Sequence, residues 1–188
     1  MSDTILAAFI AAFFTVAGTY GIDRYKKFLD IKQQKLSILS ALTAELSSLK
    51  HLIEDRKKGF EITKDTFPPT TLLYIPISYN YFPIFDNLAA EFGLINSPET
   101  TTLIISTYAE IKGLFENVKD LGNKAQLLQS LSINPGTNQA TIKFITGNLI
   151  KMQDVLLSEQ VPNVLQLITA CIQAIDNEKE KIHNTSWL

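Results

Sequence analysis

The sequence predicts an all-α protein: an N-terminal transmembrane helix that continues into a cytosolic antiparallel bundle of about four long helices plus one short helix. Residues Thr4 to Ile22, TILAAFIAAFFTVAGTYGI, hold nineteen positions without a charge, fenced by Asp3 and Asp23. From Asp23 to Lys58 there is no Pro or Gly, and Leu39, Leu42, Leu46, Leu49 and Ile53 recur at alternating spacings of three and four. Stripes of the same helical period return at Ile104–Val118, Ile142–Leu156 and Leu165–Ile175.

The apolar run comes first. At about 1.5 Å per residue it matches the roughly 30 Å hydrocarbon core of a bilayer. A signal peptide would open on basic residues, and here only Asp3 precedes the run. A buried core helix would be shorter or two-sided. Arg24, Lys26, Lys27, Lys32 and Lys35 follow the run, and no Lys or Arg precedes it. The positive-inside rule then puts the N-terminus outside and the rest in the cytoplasm, with the membrane crossed once. Tyr20 and Tyr25 fall near the inner boundary. Arg24, Lys26 and Lys27 are placed at the membrane surface, within reach of anionic headgroups of the lipid bilayer. Around the helix axis, Ala7, Ala11 and Gly18 share a line flanked by Thr15 and Thr19, with Phe9, Phe13, Val16 and Tyr20 opposite. Small residues let helix backbones approach, so Ala7, Ala11, Thr15 and Gly18 are the candidate oligomerisation face of a homo-oligomer.

The expected organisation is a short external N-terminus (1–3), the span (4–22), a basic juxtamembrane stem (23–35), the cytosolic bundle (36–182) and a tail (183–188). The net charge is −2, and no strongly basic face stands out beyond the stem, so no dedicated nucleic-acid surface is expected. Cys171 is the sole cysteine, which rules out an internal disulfide and agrees with a cytosolic setting.

The first bundle helix should run unbroken out of the membrane and stop at Gly59, after Arg56, Lys57 and Lys58. Pro68, Pro69 and Pro76 then interrupt any helix, and aromatics crowd residues 60–85. Two readings of that stretch stand. It is a crossover whose rings pack on the bundle, or it is a surface for a cytosolic protein partner, with Tyr74, Tyr79, Tyr81 and Phe82 as the contacts. Pro83 opens a short helix that Gly93 ends. Asn96 or Ser97 caps the next helix, with Pro98 and Glu99 in its first turn; Gly122 is a candidate stop, with NKAQLLQSL able to continue the helix for a further turn or two. Asn134-Pro135-Gly136-Thr137-Asn138 is the clearest turn. Ser158–Asn163, with Pro162, reads as a tight connection before the last helix.

Chemistry is sparse. One Cys and two His, His51 and His183, cannot form a spaced zinc set. The eight glycines are scattered and form no phosphate loop. Helical RNases of the HEPN type need His four to six residues after Arg, and neither Arg24 nor Arg56 has one. Glu45, Glu54 and Asp55 are expected on solvated helix faces, and Asp86 as a cap of the short helix or a hold on the loop. No catalytic residue, cofactor or metal ligand is assigned, and the chain reads as a non-enzyme.

Residues 81–114 carry a pattern: Pro83, Phe85-Asp86, Gly93-Leu94-Ile95, Ser97-Pro98-Glu99, then Tyr108 and Leu114. It resembles a segment of small, largely uncharacterised bacterial proteins with an N-terminal membrane helix and a cytosolic helical domain. In architecture the chain is also similar to CRISPR-associated accessory proteins that oligomerise into membrane pores. These resemblances imply a membrane-perturbing or pore-forming oligomer, with phage defence as its setting. A membrane-tethered adaptor working through residues 60–85 and a degenerate HEPN-like fold are the alternatives.

Overall fold

The computed structural model describes the backbone of residues 2–63, 81–133 and 138–185, and the side chains of all these except 2–13, 59–63 and Ala89. Tyr74, Tyr79, Pro68, Pro69, Pro76 and the Asn134–Thr137 turn lie outside the described residues. Every regular element among the described residues is helical.

Helix α1 spans Ser2–Thr63 without a break. At about 1.5 Å per residue it is roughly 93 Å long. Gly59 does not stop it, because one interior glycine costs a helix only about 1 kcal/mol. The same holds at Gly122, which α3 (Pro98–Ile133) passes through. Between them, α2 (Pro83–Leu88) continues as a 3₁₀ turn over Ala89–Leu94. Gly93 therefore sits inside the turn, and the Ile95 N–H closes it on the Phe92 carbonyl at 3.0 Å.

Ser97 caps α3 as expected. Its hydroxyl oxygen accepts from the Thr100 N–H at 3.1 Å and its O–H donates to Glu99 at 3.0 Å. The Glu99 carboxyl is held below its ordinary range, chiefly by its own backbone N–H and then by Ser97. Asn138 caps α4 (Gln139–Val155), accepting from the Ala140 N–H at 2.9 Å.

The expected connection at Ser158–Asn163 does not form. Leu156–Gln160 is a π turn, and α5 (Val161–Asn184) follows at once. Pro162 explains this. It has no N–H to give, and its ring would strike the carbonyl four residues back. The π turn reroutes the bond: the Val161 N–H reaches the Leu156 carbonyl, five residues back. The helix thus absorbs the proline instead of ending at it. Gln139–Asn184 becomes one 46-residue run, long and apolar enough by length and composition to cross a membrane.

Side-chain bonds fix the helix directions. Lys35 of α1 meets Asn96 at 2.7 Å, and Tyr108 of α3 meets Glu45 at 2.7 Å, so α1 and α3 run the same way. Lys32 meets the His183 carbonyl at 2.8 Å and Lys50 meets Thr169 at 3.1 Å, so α5 runs the other way. The core lies among these three helices: Leu39, Leu42 and Leu46 from α1; Ile104, Tyr108 and Ile111 from α3; Ile168, Cys171 and Ile175 from α5, all wholly buried. The buried stripe of α5 is thus committed to protein packing. Beyond Leu121, α3 leaves this core and pairs with α4, where Leu149 and Gln153 are the buried residues.

Candidate functional site

The first core residue on α1 is Ile38. Upstream, α1 projects from the body. Every described side chain from Phe14 to Tyr20 and from Ile22 to Lys27 is exposed. Phe14 and Val16 are each 70% exposed, Tyr20 59% and Ile22 57%. Apolar area left in water costs about 25 cal/mol per Å², so this arm calls for an apolar environment. The Thr19 hydroxyl donates to the Thr15 carbonyl at 2.8 Å, which satisfies that donor inside the helix. Among the described residues no heavy atom lies within 4 Å of where a Gly18 Cβ would stand, so none of them requires a glycine there. Of the expected oligomerisation face, Thr15 and Gly18 are exposed, and the side chains of Ala7 and Ala11 lie outside the described set.

The five basic residues after the run divide in two. Arg24, Lys26 and Lys27 stay exposed, with the Arg24 guanidinium 5.1 Å from the Tyr20 ring centroid. Lys32 and Lys35 instead fasten α1 to the body. Lys32 donates to the carbonyls of His183 and Thr185, at 2.8 and 3.1 Å. A cation on the last carbonyls of a helix answers both their unmet bonds and the negative end of the dipole. His183 and Asn184, expected in a tail, are accordingly the last residues of α5. Ten residues separate Ile22 from Lys32, about 15 Å of helix.

Above this fastening, Glu45 corrects the sequence reading. It is only 7% exposed. Its two carboxylate oxygens accept from the Ile84 N–H at 2.8 Å, the Phe85 N–H at 3.0 Å and the Tyr108 hydroxyl at 2.7 Å. The first N–H groups of a helix have no partner of their own, and Glu45 supplies one for α2 from another helix. The Tyr108 hydroxyl is pushed far above its ordinary pKa by burial, then by the Glu45 hydrogen bond and charge. The clue in the sequence was slight: Glu45 lies on one flank of the Leu42–Leu46–Leu49 stripe.

Aromatic rings pack around this node. Phe85 stacks on Tyr108 at 4.0 Å, and Phe82 lies 5.7 Å from Phe115. Lys112 bonds Asp86 at 2.8 Å and lies about 5 Å over the rings of both Phe82 and Phe85. Asp86 is therefore an ion-pair partner here and not a cap. Phe82, expected on a partner surface, is buried, and Tyr81 is half-buried edge-on to Phe115 at 5.1 Å. In this conformation both rings close the core.

The remaining titratable groups are dispersed. His51 is exposed and faces Glu54 at 3.8 Å. Cys171 is buried, and burial pushes its thiol up to about 11. Among the described residues no three His, Cys, Asp or Glu gather where they could hold a metal ion. No family model, curated protein or solved structure matches this chain.

Proposed function

We propose that this chain is a non-enzymatic, single-pass inner-membrane protein whose spans self-associate and perturb the bilayer under control of the cytosolic body. In this reading Thr4–Ile22 crosses the membrane with the N-terminus outside. Arg24, Lys26 and Lys27 lie at the inner headgroups, and the body is a helical bundle.

The observation that carries the reading is the continuity of α1. One helix bears both the exposed apolar arm and the core residues Leu39, Leu42 and Leu46. Lys32 and Lys35 clamp it where it meets the body. A span joined to its domain by a flexible linker is only tethered. A span joined by an unbroken, clamped helix must turn or separate when the bodies do. The second candidate run, Gln139–Asn184, is set aside because its α5 stripe is already buried against α1 and α3.

The test is to insert Gly-Gly-Ser-Gly after Lys27 and follow potassium leakage on expression. The account expects leakage from the parent chain, none from the insertion variant, and equal membrane insertion of both. Leakage that survives the insertion would rule out control by the body. A parent chain that causes no leakage would leave only a membrane-tethered scaffold.

A further inference from the structure

We draw no further inference here: the strongest candidate, the exposed apolar face of α1 at Ile22, Tyr25 and Leu29, carries nothing because nothing in the structure shows what covers it.

Discussion

Helix α3 lives in two environments. Up to Leu121 it packs on α5 and its side chains reach α1 through Tyr108 and the shared core, and Ile104, Tyr108, Ile111, Leu114 and Val118 are buried on one face. Beyond Leu121 it has α4 for company, and Leu127 and Ile133 stand 53% and 75% exposed. Two helices cannot enclose a core as three can, so among the described residues the same helix is a structural wall at one end and an open surface at the other. The lesson is that an apolar residue's position along α3, more than its type, decides what it does.

The contrast can be broken by substitution. The largest effect should come from the three-helix end. Leu42→Ala leaves a cavity where nothing can collapse and should cost about 3 kcal/mol, read as a lowered melting temperature of the full chain in detergent. Glu45→Leu should cost nearly as much, about 2–3 kcal/mol, because the Ile84 and Phe85 N–H groups and the Tyr108 hydroxyl would lose their acceptor. Glu45→Gln, which keeps one acceptor oxygen, should cost less than Glu45→Leu. Equal losses for the two would mean that packing, not hydrogen bonding, holds α2.

Alkaline pH sharpens the comparison, since the buried titratable groups with raised pKa values are in the core. The Cys171 thiol is raised from its ordinary value of 9.0 to about 11, and Tyr108 is raised as well. Above pH 9 the unfolded chain releases the thiol proton while the folded chain still holds it, so unfolding is favoured. From neutral pH up to pH 9 the thiol should leave stability unchanged, and stability should fall as the pH rises towards 11. Cys171→Ser should flatten part of that fall, and a profile unaltered by the substitution would contradict the assignment. The smallest effect belongs to the outer end of α3. Leu127→Ala should change stability by less than about 0.5 kcal/mol. Amides of 121–150 should exchange with deuterium faster than those of 38–53 and 161–175.

Much of the helical layout was legible because it depends on local periodicity. The Leu39–Ile53 stripe, the Pro83 start and the Ser97 cap each depend on neighbours within a turn or two, and each is found. The failures are where a local signal competes with distant packing. Gly59 and Pro162 read as stops, yet the helices run through both, at Pro162 by way of a π turn; at Gly122 the open alternative, continuation through NKAQLLQSL, is the one found. Glu45 read as solvated because its partners lie 39 to 63 residues away. Lys32 and Lys35 read only as part of the basic stem for the same reason, since their acceptors come from the end of α5 and the start of α3. Of the candidate site, the exposed apolar arm and its three outer basic residues were visible in sequence, whereas the clamp that joins the arm to the body was not.

Two helical runs in this chain have the length and composition to cross a bilayer, Thr4–Ile22 by its sequence and Gln139–Asn184 by its structure. The account assigns the membrane to the first and the core to the second. Deleting residues 2–22 and fractionating cells that express the shortened chain tests that choice directly. The account predicts that the chain leaves the carbonate-resistant membrane fraction and appears, still helical, in the soluble fraction. A shortened chain that stays embedded would place the span in α4 and α5 and contradict the account.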